Sequence, residues 1–209
     1  MTFSCFFHRS DLQKRLIAHW IMYRYMKIIG LCGSAAPKSS TKKLIEAALQ
    51  AAMEKGAAVE YINIAKLNIK GCLGCNECKK DQTKFCSFLN DDMTGLYAKL
   101  NEADVILLGS PIYFGDITGQ SKCFVDRMYA FLGPAGSKLK KGKKAAALIT
   151  QGFADETHYP IAAEHLTKGF DSCGADILPP EFFGGLHNAD EVSEAQLARA
   201  RAFGEKLAE

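Results

Sequence analysis

Met26-Lys27-Ile28-Ile29-Gly30-Leu31-Cys32-Gly33-Ser34-Ala35-Ala36-Pro37-Lys38-Ser39-Ser40-Thr41 is the stretch from which the fold is read. A short apolar run over 27–32 stops at a glycine, the pattern of a strand buried on both faces of a parallel sheet. Beyond the loop, Leu44, Ile45, Ala48, Leu49, Ala52 and Met53 recur at helical spacing. Between strand and helix stand the hydroxyls of Ser34, Ser39, Ser40 and Thr41 and the charge of Lys38. They converge on a helix start, where backbone N–H groups lack partners, and this arrangement binds phosphate. Ser40 or Thr41 acting as a plain N-cap accounts for one hydroxyl and leaves the rest of the group unexplained.

The same rhythm continues along the chain. Gly56 ends the first helix, and 58–64 alternates as a second strand. Residues 104–109 form a third apolar strand, and Ser110-Pro111-Ile112-Tyr113-Phe114-Gly115 leaves its carboxyl end as a proline-kinked loop. Two aromatics there suit a planar ligand in the crevice of an open parallel sheet, although Phe114 also reads as core. Helices are expected over 119–132, with Phe124, Met128 and Phe131 inward, over 155–173, and over 193–207 with Ser193 as cap. A fourth strand spans 144–150, and Thr150-Gln151-Gly152 follows it with polar groups suited to a heterocycle edge. A fifth strand over 175–183 is interrupted by Pro179-Pro180. Five βα units make a three-layer α/β sandwich on a five-stranded parallel sheet. No GxGxxG follows the first strand, and Gly136 and Gly142 do not form a Walker A loop. A mononucleotide phosphate is the ligand left.

Gly71-Cys72-Leu73-Gly74-Cys75-Asn76-Glu77-Cys78, with Cys86 a little further on, lies in an insertion at 65–92 that has little periodicity. Four soft ligands in so short a piece of chain can wrap one metal centre. A CxxCxxC run with a nearby fourth cysteine suits a 4Fe-4S cluster better than zinc, which usually takes two separated CxxC knuckles. Zinc, disulfides and thiols without metal stay open as readings. Asp91 and Asp92 are expected as caps of a helix over 93–100, without a catalytic role.

At 209 residues, with 48% hydrophobic and 23% charged, the chain is expected to form one globular domain. The net charge of +3 gives no reason to expect nucleic acid, and the basic run at 138–144 reads as a solvated face. Eight cysteines without a secretory signal point to a reducing, cytoplasmic setting. No apolar run reaches the roughly 18 residues of a membrane span. In 1–25, Arg9, Asp11, Lys14, Arg15 and Arg24 break up the apolar positions. That segment reads as an extension from an upstream start codon, with an amphipathic helix bearing Leu12, Leu16, His19 and Tyr23 as the alternative. Residues 26–209 are the domain. His158, His165 and His187 read as surface or helix-end histidines.

Taken together, Gly33-Ser34 through Thr41, the cysteine stretch with Asp91-Asp92-Met93, and Ser110 to Gly115 followed by Gly119-Gln120-Ser121-Lys122 and Asp126-Arg127 resemble the NADPH-dependent FMN reductases. The likeness is greatest to the iron-sulfur flavoproteins within that flavodoxin-like group. The resemblance implies strand order 2-1-3-4-5 and FMN, with its phosphate on Ser34, Ser39 and Thr41. Ser40 belongs to the same loop, and Lys38 stands in for a basic residue that many relatives carry at the position of Ala36. The ring is expected between Ser110, Pro111, Ile112, Tyr113, Phe114 and Gly115 on one side and Thr150, Gln151 and Gly152 on the other. Cys72, Cys75, Cys78 and Cys86 would hold the cluster. The implied activity is flavin redox chemistry, with ferredoxin or NAD(P)H as electron donor and a quinone, free flavin or other small molecule as acceptor, in a homodimer or homotetramer. A flavin reductase without a cluster and a non-catalytic metal-binding interaction module are the competing readings.

Overall fold

A computed structural model describes residues 25–86 and 89–209. The reading of the segment before Met26 lies outside the described residues, Tyr25 apart. In chain order the elements are β1 (Lys27–Cys32), α1 (Ser40–Glu54), β2 (Ala58–Asn63), α2 (Met93–Glu102), β3 (Val105–Tyr113), β4 (Asp116–Ile117) and α3 (Gly119–Arg127). There follow β5 (Leu132–Gly133), β6 (Gly136–Ser137), β7 (Lys144–Thr150), α4 (Ile161–Ser172), β8 (Asp176–Ile177), β9 (Glu181–Phe183) and α5 (Glu194–Leu207).

The central sheet runs β2-β1-β3-β7, with β8 and β9 sharing the fifth position beside β7, and these pairings are all parallel. This is the flavodoxin-like order. Alternation along the central strands divides the core. Ile29, Leu31, Ile106, Leu108, Ala145, Ala147 and Ile149 face α2, α3 and α4, while Ile28, Val105, Leu107, Ala146 and Leu148 face α1 and α5. Each wholly buried Leu, Ile or Phe contributes roughly 1.5–3 kcal/mol. Two hydrophobic layers, one per face, therefore hold the strand ends in place.

Local chemistry sets the boundaries. Ser39, and not Ser40 or Thr41, caps α1, its Oγ accepting from Lys42 N–H at 3.0 Å. Ser193 and Gln196 form a capping box at the start of α5. The helix expected over 155–173 begins only at Ile161, because Asp155 holds the Thr157 N–H and hydroxyl in a turn and Pro160 precedes the first helical residue. The helix expected over 119–132 ends at Arg127 and tightens into a 3-10 turn over Met128–Phe131. Strand 175–183 is two pieces, β8 and β9, since Pro179 and Pro180 offer no N–H to a ladder.

The third strand is longer than expected. Ser110, Pro111, Ile112 and Tyr113 continue β3, with Pro111 opposite Thr150, and only Phe114 and Gly115 turn the chain into β4. No helix among the described residues is long and apolar enough to cross a membrane.

Candidate functional site

The carboxyl ends of β1, β3 and β7 open into one cleft of about 490 Å³, mouth included. Its walls bring together Ser34, Lys38, Ser39, Ser40 and Thr41 from the first loop, Pro111, Ile112 and Tyr113 from β3, and Thr150, Gln151 and Gly152 from the end of β7. The first loop lies directly on the start of α3. A Cβ on Gly33 would fall 1.8 Å from Ser121 Oγ, and Thr118 Oγ1 donates to Gly33 O at 2.8 Å. Only a glycine fits there.

The four hydroxyl residues of the loop are all nearly buried. Thr41 Oγ1 and Thr150 Oγ1 hydrogen-bond at 2.7 Å, tying the first loop to the end of β7 across the floor. Ser39 Oγ accepts the cap bond, which leaves its O–H to donate. The first turn of α1 carries no acidic residue, so its free N–H groups and positive dipole end face the cleft unopposed. Lys38 does not aim its charge inward, because its ammonium sits on Asp190 at 2.7 Å.

Gln151 is 2% exposed; its amide N–H donates to Asp155 O, while its Oε1 is buried with no donor. A buried acceptor without a partner, at the wall of a cleft, marks a place for a ligand N–H. Gly152 leaves room for the ring of His187, which would lie 2.6 Å from an added Cβ. Ser110, an expected contact, does not line the cleft. It is fully buried beneath the cleft, accepting from Thr118 N–H at 3.1 Å and bonding Ser121 Oγ at 3.3 Å.

Phe114 and Gly115 line an adjoining hollow with Phe153, Tyr159 and His187. Phe114 is not core: it is fully exposed at the hairpin tip, in the left-handed region at φ 50°. His158 stacks on Phe153 with ring centres 4.3 Å apart, and His165 sits on Asp116 at 3.0 Å. Leu186 and His187 of the cleft, and Phe153 and Tyr159 of the adjoining hollow, were not expected as site residues. No local motif marks them: Leu186 and His187 arrive through the pairing of β9 with β7, and Phe153 and Tyr159 stand in the loop that follows β7.

The four cysteines line a second, tighter hollow, of about 360 Å³ with its open mouth included, together with Leu89, Arg127, Tyr129 and Ala130. Gly74 and Asn76, at φ 65° and 59°, coil the loop between them, and Gly74 N–H points at Cys72 Sγ, 3.5 Å away. Cys72 and Cys75 are exposed, Cys86 half-buried and Cys78 buried, and burial pushes the Cys78 thiol up. All seven described cysteines are free thiols, and among the described residues no three candidate ligands stand close enough to hold a single metal ion.

Protein groups hold this loop in place. Lys79 Nζ donates to Tyr129 O at 2.6 Å and to Leu132 O, and lies 3.4 Å from the centre of the Tyr129 ring. Lys138 Nζ donates to Cys78 O at 2.7 Å and to Lys84 O. The basic run is therefore not merely a solvated face: Lys138 staples the cysteine loop, and Lys143 is buried with its ammonium on Ala103 O.

Asp91 and Asp92 likewise do more than cap α2. Asp92 accepts from Asn68 N–H at 2.7 Å and makes no side-chain cap bond to the helix. Asp91 accepts from Lys70 N–H at 3.0 Å and Met93 N–H at 3.3 Å, and takes a two-pronged bond from Arg127 at 2.5 and 3.1 Å. Burial alone would raise the Asp91 pKa, but the hydrogen bonds from Arg127 and Lys70 hold it below the usual carboxylate range. Helix α3 thus joins the two sites: its cap residue bonds the first loop, and Arg127 at its last turn lines the thiol cavity.

Comparison with known proteins agrees with this geometry. The profile of a family described as NADPH-dependent FMN reductase matches residues 26–188. An iron-sulfur flavoprotein of Archaeoglobus fulgidus is 30% identical over 88% of this chain and 80% of its own length. One from Methanocaldococcus jannaschii is 41% identical over 49% of this chain, and the match spans about half of that relative, 51%. Among solved structures, an NAD(P)H:quinone oxidoreductase from Methanothermobacter marburgensis superposes with a TM-score of 0.70 at 22% identity, over 88% of this chain and 97% of that one. That likeness shows the shared fold.

Proposed function

Because the chain belongs to the NADPH-dependent FMN reductase family, we propose that it is an FMN-dependent oxidoreductase that transfers electrons between a reduced donor and a small-molecule acceptor, with a 4Fe-4S cluster on Cys72, Cys75, Cys78 and Cys86. The observation that carries the flavin part is the cleft itself, which a hydroxyl-bearing helix start lines together with Gln151, whose Oε1 has no partner. Ser34, Ser39, Ser40 and Thr41, with the first N–H groups of α1, hold the phosphate. Gln151 accepts from a ring N–H, and Tyr113 covers the ring. FMN, when bound, supplies hydride and single-electron chemistry; the side chains bind it, orient it and keep water from it. No side chain is assigned as general acid or base.

The cluster reading is supported by four thiols around one cavity and by an N–H aimed at one of the sulfurs. A single zinc ion, with bonds of 2.3 Å in a tetrahedron, would draw its sulfurs to about 3.8 Å from one another. A cage whose thiols surround a cavity without meeting at a point suits a polyatomic cluster better. A reductase without the cluster is the second reading, favoured by the loop's being held by Lys79 and Lys138 with protein groups alone. The donor is a nicotinamide, or ferredoxin where the cluster is present. Exposed Phe114 and Tyr113 at the cleft mouth support assembly of a homodimer or homotetramer around the flavin.

Flavin, iron and acid-labile sulfide are measured on one anaerobically purified sample, together with its visible spectrum. Bound FMN with about four irons per chain is expected. FMN without iron selects the second reading. Failure to take up FMN overturns the flavin assignment and leaves a metal-binding module.

A further inference from the structure

Among the described residues, Arg127 is the one cation that is both fully buried and set in the wall of the thiol cavity, with its side chain 1% exposed. Four of its contacts are accounted for among the described residues. Nη1 donates to Asp91 Oδ2 at 2.5 Å and to Lys70 O at 3.0 Å, Nη2 donates to Asp91 Oδ1 at 3.1 Å, and the guanidinium end is thereby anchored. Tyr97 O–H, on the far side, donates to the Arg127 carbonyl. Nε is the one guanidinium nitrogen that makes no hydrogen bond, and its N–H is buried. A buried donor of this kind is unfavourable unless an acceptor fills the space beside it. The space it shares with the four thiols offers sulfur as that acceptor.

We propose that Arg127 is a positioning and tuning residue for the cluster: its Nε–H donates to a sulfur of the cage, and the balance of charge between Arg127 and Asp91 sets the cluster's reduction potential. This rests on the reading of the four cysteines as cluster ligands. The physical reason is direct. One-electron reduction adds a negative charge to the cage, and a buried cation with an N–H on sulfur favours that state, while the buried Asp91 carboxylate opposes it.

Two variants with opposite expected signs test this. Arg127→Lys keeps a positive charge but has no Nε–H and cannot span both oxygens of Asp91. Asp91→Asn keeps one oxygen, for the Lys70 N–H at Oδ2, gives up the longer Met93 bond at Oδ1, and removes the charge. Each protein is prepared anaerobically, its iron and sulfide are counted, and its cluster is titrated with dithionite as reductant against redox mediators, followed by the electron paramagnetic resonance of the reduced state. Circular dichroism of the metal-free chains checks folding.

Arg127→Lys is expected to lower the potential and Asp91→Asn to raise it. Each shift is expected to change the reduced-to-oxidised ratio at least tenfold, about 59 mV for one electron. Normal iron content with unmoved potentials, or shifts of the same sign in both variants, overturns the inference and leaves the pair as a staple of the loop. If Arg127→Lys does not fold, Asp91→Asn decides alone, and an unmoved potential there is equally fatal. A wild-type chain that binds no iron overturns the cluster reading and the inference with it.

Discussion

Replacing Arg127 with Met should destabilise the metal-free chain by about 3–5 kcal/mol, the cost of leaving one member of a buried ion pair alone. Three observations put it in that range. The two side chains are 1% and 0% exposed, the bond is two-pronged, and the carbonyl of Lys70 loses its donor as well. Urea unfolding followed by circular dichroism measures the loss as a fall in midpoint. Adding Asp91→Asn to the Met variant removes the stranded charge and should restore most of the loss. The pH dependence has a definite sign. The folded pKa of Asp91 lies below its unfolded value, so the pair's stabilisation is complete above about pH 4 and fades as pH falls through the folded pKa. In the Met variant the lone carboxyl is free to take a proton, so the gap between variant and wild type should narrow below pH 4. A loss under about 1 kcal/mol at pH 7, or a double variant no better than the single one, would refute the assignment of a buried, mutually dependent pair.

Other expectations follow from the cleft. Gly33→Ala places a methyl carbon 1.8 Å from Ser121 Oγ and should lower stability by about 1–3 kcal/mol in thermal unfolding; a neutral result would mean the first loop does not rest on α3. Thr41→Val strands the hydroxyl of Thr150 and should destabilise by about 1–3 kcal/mol while weakening FMN retention, read by recovery of flavin fluorescence on dilution. Phe114→Gly removes an exposed ring from a left-handed residue, so stability should hold or rise by about 1 kcal/mol. A drop of more than that amount would show that the hairpin tip packs on something within the chain.

Much of the cleft is legible because its parts are contiguous in the chain and sit where strands end. The loop from Gly33 to Thr41 announces itself by hydroxyls before a helical pattern, and Thr150-Gln151-Gly152 by its position after an apolar run. The place of Ser110 is not legible in this way, because β3 runs on through it and turns its side chain to Thr118 and Ser121 beneath the floor. His187 was legible only as a surface histidine, since its approach to Gly152 depends on how β9 lies against β7. The cysteine spacing is plain in the sequence, but the lysines that hold the loop are not: the charge of its neighbours makes Lys138 look solvent-facing, yet its aliphatic length lets the ammonium reach two carbonyls across the loop.

Hydrophobic period and turn chemistry are properties of neighbouring residues, and by themselves they determined the parallel sheet, the hydroxyl-bearing first loop and the run of thiols. The meeting of Arg127 and Asp91 beside those thiols, the donorless oxygen of Gln151 and the burial of Ser110 were decided only when the helices settled on the two faces of the sheet. Such contacts join distant parts of the chain, and their energies depend on exclusion from water, which no stretch of sequence carries until the layers close over it.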